Sequence, residues 1–304
     1  MSSGLSLLSQ VDDESLRKQK DLPSWCPDYS VSEFHPPLGD MLVDWYDALP
    51  SRRKFCSADV DTQTLILEGL YVENITRLGP SVHKISVQEL LEFCLTLHIT
   101  YHNGQDRTEA VWRTSIADHF SNACPAPTEM TATCFTDWLL YSVANCIHGN
   151  NDGQDLPPYE EWSEWSCFDE LHESSPTAAK NVPSTAVLAA YTERMRTMLV
   201  TSKGSAPEAR QLQGGHDFYG SAVLWAGNRT LFVTASGSIG LAPPSSKDGD
   251  QVWFVSGAKV PFILRPVEDG RHYRLIGEAY VHGYMHGEVL EEMQDRGFQE
   301  IMLR

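Results

Sequence analysis

His282 and His286 stand four residues apart, and Glu288 follows. These are metal-ligand residue types. On a helix, two imidazoles at i and i+4 share one face, as in an HExxH zinc site. Here Gly283 and Gly287 oppose a helix, and the surrounding pattern is that of a strand end. The spacing therefore favours His282 as a turn residue that satisfies backbone groups over His282 and His286 as metal ligands.

Glu278 raises a second possibility. It falls mid-strand between apolar Ile276 and Tyr280, and a buried carboxylate in a cleft is a candidate for acid–base work. The competing reading is a structural ion pair with an arginine, Arg265 and Arg274 being available nearby in sequence. If Asp269-Gly270 forms a two-residue turn, Arg265 stands opposite Arg274. Like charges directly opposed are unfavourable, so a carboxylate should lie between them or the register should shift. Glu278, His282 and Arg265 together are the catalytic candidates, and the structural reading is preferred.

Other chemistries find less support. Cys134 and Cys146 lie on helical patterns, which points to packing. Gly237-Ser-Ile-Gly240 lacks the spacing of a nucleophile elbow. There is no dinucleotide fingerprint or phosphate-binding loop, so no cofactor is expected. Asp248 and Asp250 around Gly249 read as a turn rather than a calcium loop. Trp162-Ser-Glu-Trp165 could dock a basic partner, although a solvated acidic loop with one buried Trp explains it more simply.

The elements that must position these residues are legible in outline. Residues 1–21 are polar and read as a frayed or disordered leader. Leu22-Pro-Ser-Trp-Cys-Pro-Asp-Tyr29 is extended, because Pro restricts itself and its predecessor, and Trp25 and Tyr29 are expected to plug a core. A short strand at 54–57 and a long one at 64–75 form a hairpin, with a bulge at Gly69; together with the extended segment they make up residues 22–80. Residues 81–228 are helical, with helices at 87–101, 108–120 (capped by Thr108), 136–147, 184–200 and 207–225. Within them, 147–175 is an acidic loop without Lys or Arg. Residues 229–304 alternate short apolar strands with turns, including Asp248-Gly249 and Asp269-Gly270, which signal hairpins. The expected fold is α+β: a small curved antiparallel sheet or barrel, built from the early hairpin and the C-terminal meander, with an inserted helical layer.

Composition narrows the function classes. The 304 residues carry a formal charge of −18, which repels nucleic-acid phosphates and anionic membranes. No apolar run is long enough to span a bilayer, and residues 1–10 do not form a secretion signal. A cytoplasmic protein with seven reduced cysteines is expected.

The C-terminal motifs carry a family resemblance. They are Arg229, Phe232, Thr234, Gly237, Gly240, Pro243, Gly249-Asp250, Pro261-Phe262, Leu264-Arg265-Pro266, Gly277-Glu278, Tyr280-Val281-His282-Gly283, Met285 and Gly287-Glu288. With Leu22 to Tyr29, Leu67 to Val72 and Ala110 to Thr114, they resemble the region downstream of the incompatibility domain in fungal heterokaryon-incompatibility (HET) proteins. Tyr29 stands where that pattern has Trp. The upstream domain's Ser-Tyr-x-Trp-Gly and Asp-Pro-Arg-Asp segments are not found, so the domain itself is expected to be missing. The resemblance implies an accessory region, used in recognition or regulation, of a protein associated with non-self recognition and programmed cell death. It further implies a protein partner and no enzymatic activity. The alternatives are an enzyme with a pocket around Glu278, His282 and Arg265, or an inactive remnant of the family.

Overall fold

The computed structural model describes residues 5–11, 13–31, 37–38, 45–50, 56–59, 61–82, 85–149, 165–175, 177, 179–201, 209–292 and 296–304. The chain is α+β and divides into two compact units. One comprises Met1–His83 with Trp225–Arg304, the other Lys84–Leu224.

The first unit is built on one long strand. A short β1 (Cys56–Asp59) turns into β2 (Thr64–Ser81). The remaining strands are β3 (Thr230–Thr234), β4 (Ile239–Ala242), β5 (Gln251–Val255), β6 (Phe262–Pro266), β7 (His272–Glu278), β8 (Tyr280–Val281) and β9 (Gln299–Leu303). Along one edge β2 pairs with β1 and then β5, and along the other with β9 and then β3. β5 pairs with β6, β6 with β7, and β7 with β9 in parallel, so the pairings return to β2 and close a ring of five strands. β3, β4 and β8 extend the sheet from the far end of β2. The early hairpin thus joins the C-terminal strands, as the sequence predicts.

Gly69 marks the point where β2 has partners on both edges, Val255 and Gln299. A Cβ there would lie 2.6 Å from the Phe254 carbonyl oxygen and 2.8 Å from Ile301 Cδ1. The residue is glycine because the β5 backbone and the Ile301 side chain fill the space a Cβ would need. The expected bulge instead lies at Tyr71–Glu73. There the inward-facing alternation slips, from Leu70 and Val72 to Ile75. These side chains pack with Phe232, Val252, Phe254, Ile263, Ile276, Val281 and Tyr284 to form the core of this unit.

The Asp248-Gly249 hairpin is a second correction. Lys247–Asp250 does turn, with Asp250 N–H on the Lys247 carbonyl at 3.1 Å, but β4 and β5 do not pair with each other. Gly249 and Asp250 instead exchange backbone bonds with Ile75, delivering β5 to β2. Asp269-Gly270 does lie in a hairpin, between β6 and β7.

The second unit is helical: α1 (Val87–Leu95), α2 (Arg107–Ser115), α3 (Thr128–Gly149), α4 (Ser166–Ser174), α5 (Thr185–Thr201) and α6 (Ala209–Ser221). A short α7 (Val289–Glu292) belongs to the first unit. α1 opens with a reciprocal Ser86–Glu89 capping box. It stops before Tyr101 because Tyr101–Gln105 folds into a tight hairpin around Gly104, whose φ is +86°. Asp106, not Thr108, caps α2, accepting from Glu109 N–H at 2.8 Å, while the Thr108 hydroxyl bonds the cap itself. α2 ends five residues early, where Ala117 and Asp118 adopt left-handed φ. Buried Arg113 holds that turn, bonding Glu109, Asp118, the Ala126 carbonyl and Thr128.

Part of the expected acidic loop is helical. α4 buries Cys167, Phe168 and Leu171 and exposes Asp169, Glu170 and Glu173. The acidic composition masked an amphipathic pattern. Residues 150–164, with Trp162, lie outside the described residues. No helix among the described residues is long and apolar enough to cross a membrane.

Candidate functional site

The leader and the proline-rich segment form a built structure on the rim of the ring. Arg17, 9% exposed, donates to the carbonyls of Ser24 at 2.9 Å, Pro23 at 2.9 Å, Cys26 at 3.2 Å and Leu22 at 3.3 Å. One guanidinium thereby gathers a loop whose prolines cannot donate backbone bonds of their own. Asp28 closes the other side, accepting from the N–H groups of Lys18 and Gln19, both at 2.7 Å, and from Ser30. Ser24 fastens the loop to the ring. Its Oγ accepts from Leu275 N–H at 3.0 Å, and both its hydroxyl and its N–H donate to the Arg304 carbonyl.

Trp25 and Tyr29 do not plug a core. Tyr29 is 78% exposed, and Trp25 is half-buried with its indole N–H on the Gln63 carbonyl at 3.2 Å. The extended segment closes on Arg17 instead of inserting into the ring, which leaves its aromatic rings outside.

The bonds that hold Asp28, led by the Gln19 N–H and the Ser30 hydroxyl, keep its carboxyl well below the usual carboxylate range. A depressed folded-state pKa means that this contribution is complete above the unfolded value of 3.8. It drains away as pH falls toward the folded value. Asp28→Asn should therefore lower the thermal midpoint at neutral pH, and the gap to wild type should narrow as pH drops from about 4 to about 2. Thermal melts of both proteins across that range check the expectation.

Beside this loop lies a cleft of about 350 Å³, lined by Lys20, Asp21, Leu22, Pro23, Ser24, Gln63, Val267, Arg274 and Arg304. Its lining comes from the leader, the β1–β2 turn, the β6–β7 hairpin and the end of β9, and no local motif could have joined them.

The residues singled out from sequence are placed as follows. Arg265 does face Arg274 across β6 and β7, and a carboxylate does lie between them. It is Glu14, which meets Arg265 Nη1 at 3.2 Å and Arg274 Nη2 at 2.5 Å. Arg265 also forms a two-pronged pair with buried Asp250, 2.8 Å on each prong, and donates to the Ser245 carbonyl. Its partner is thus Asp250, not Glu278. Glu278, 5% exposed, instead meets Arg229, 7% exposed, with Oε1 to Nη2 at 2.5 Å, and the same oxygen accepts from Leu38 N–H. Its cation comes from the start of β3, distant in sequence and adjacent in space. Sequence reading also passed over Glu73, which anchors the β3–β4 turn through the Ser236 N–H at 3.0 Å and hydroxyl at 2.8 Å.

His282 is buried, with Nδ1 2.9 Å from the Tyr280 hydroxyl and its N–H on the Ile239 carbonyl. His286 is exposed, and its ring lies against Tyr46. Glu288 accepts from His286 N–H at 2.7 Å and so closes the turn between them. Gly283 and Gly287 adopt φ of +78° and +98° in that turn, so the two imidazoles are not carried on one helical face. Among the described residues no cluster of His, Cys, Asp or Glu is arranged to hold a metal ion.

Comparison with known proteins bears on the ring. Residues 186–301 match the Het-6 beta-barrel domain family. Over that segment the chain is similar to Het-6 barrel proteins. The Het-6 segment contains β3 to β8 and most of β9, but not β2, the strand on which the ring closes. A curated relative is the "Heterokaryon incompatibility protein 6, OR allele" of Neurospora crassa, 33% identical over 69 residues. That alignment covers 22% of this chain and 10% of the relative. No solved structure matches the chain at a significant level.

Proposed function

We propose that this chain is a recognition or regulatory region of a HET-like protein, acting through a protein partner in the cytoplasm and without catalysis of its own. The observation that carries this reading is the bonding of the candidate catalytic residues. Glu278 is buried and held by Arg229 and Leu38, and Arg265 is fixed by Asp250, Glu14 and Ser245. Each tie has the form of a structural network, which perturbs charges as readily as an active site does. The relative named for heterokaryon incompatibility supports the HET-like part of this reading, and the place in non-self recognition and cell death is what the resemblance of the C-terminal motifs implies.

The purified chain, incubated with NAD or nucleoside triphosphates, should fold and show no turnover. Robust turnover would sink the non-catalytic reading. The enzyme alternative needs Glu278, His282 and Arg265 to act in one concave site. Arg265 bonds neither of the other two, which disfavours it. The inactive-remnant alternative is separated by a deletion phenotype.

A further inference from the structure

We propose that the cleft on the rim of the ring binds a small organic anion, a carboxylate or phosphate carried on an apolar body. The idea deepens the recognition reading and rests on it. The cavity of about 350 Å³ lies within the range that small-molecule sites take. Three cationic side chains line it, Lys20, Arg274 and Arg304, against one acidic side chain, Asp21. Glu14, which does not line the cleft, divides its charge between Arg274 and Arg265. On a chain with a formal charge of −18, such a local reversal of sign focuses anions where the rest of the surface repels them.

The donors are available. The Lys20 ammonium and the Arg304 guanidinium form no ion pair among the described residues. Arg274 gives one nitrogen to Glu14 and remains 51% exposed. A guanidinium fork matches an oxyanion in two-pronged fashion, and a lysine adds a point charge. Leu22, Pro23 and Val267 supply an apolar wall, and Gln63 an amide.

The walls are also fixed in advance. Arg17 and Ser24 hold the 22–26 loop from behind. Gln63 is kept at φ +53°, with Trp25 bonded to its carbonyl. A non-glycine residue in that region carries local strain, which structures tend to store at functional sites. A preformed cleft loses less on binding than a loop that must first be ordered.

The test is calorimetric titration of the full chain with phenyl phosphate, phenylacetate and, as the neutral counterpart, benzyl alcohol. At least one of the two anions should bind saturably and benzyl alcohol should not; which anion binds more tightly separates phosphate from carboxylate ligands. The variant Lys20→Gln with Arg304→Gln removes two side chains that bond nothing among the described residues, so its thermal midpoint should stay at the wild-type value. Its anion affinity should fall at least about tenfold. Absence of saturable binding for both anions, or equal affinity in the double variant, overturns the proposal. NAD turnover by a chain whose cleft still binds the anion would defeat the non-catalytic reading and leave this one standing.

Discussion

Arg229→Ala is expected to cost about 3–5 kcal/mol of unfolding free energy, the range for breaking a buried ion pair by removing one partner. The reason is what remains behind. Glu278 is 5% exposed, and its Oε1 is shared by the Arg229 guanidinium and Leu38 N–H. Without the guanidinium, a carboxylate must stay charged in a poorly solvated place or take up a proton, and both cost free energy. The Arg229 side chain also donates to the Trp225 carbonyl at 3.2 Å, so the variant loses a further bond. Urea unfolding followed by circular dichroism measures the loss. A change below about 1 kcal/mol, the value of an exposed pair, would show that the charges are not locked together.

Trp253→Ala should be of comparable size, about 3–5 kcal/mol, as for other large aromatics deleted from cores. Trp253 is 1% exposed on β5, and its ring centroid lies 5.5 Å from both Tyr71 of β2 and Tyr273 of β7. It therefore touches three strands of the closed ring, and its removal leaves a void that the pairings on either side cannot collapse to fill. Its indole N–H bonds Gln251 at 2.9 Å, which is why a tryptophan can be buried there without an unmet donor. The same unfolding experiment applies, with Trp253→Phe as the milder companion. Equal losses in the two variants would mean that volume does not matter at this position.

Much of the strand layout was readable because its signals are local. The C-terminal strands fall between the turn residues expected to separate them, β5 just after Asp248-Gly249 and β6 and β7 on either side of Asp269-Gly270, because alternation and turn residues are short-range properties. What could not be read is non-local. β2 binds four other strands, and nothing in residues 64–81 names them. The same limit explains Glu278, whose expected partner was the arginine nearest in sequence and whose actual partner is Arg229. It explains Glu14 too: the opposition of Arg265 and Arg274 called for a carboxylate, but the leader that supplies it looked like a disordered tail. Gly69 is special for another reason than the one expected, since a glycine demanded by a bulge and one demanded by close approach of the β5 backbone and the Ile301 side chain look alike in one dimension. α4 was missed for the opposite reason, as its net composition hid a local periodicity that was present. The cleft could not be read at all, because its lining is drawn from four separated stretches of chain.

Glu278 and Arg229 act as one structural unit, and a double-mutant cycle tests this most directly. Arg229→Met and Glu278→Gln, singly and together, would be compared with wild type by urea unfolding. If the pair holds the ring, the double variant should lose less than the sum of the two single losses, with a coupling of about 1–3 kcal/mol. Single losses that add to within about 0.5 kcal/mol would contradict it and return Glu278 to the candidates for catalysis.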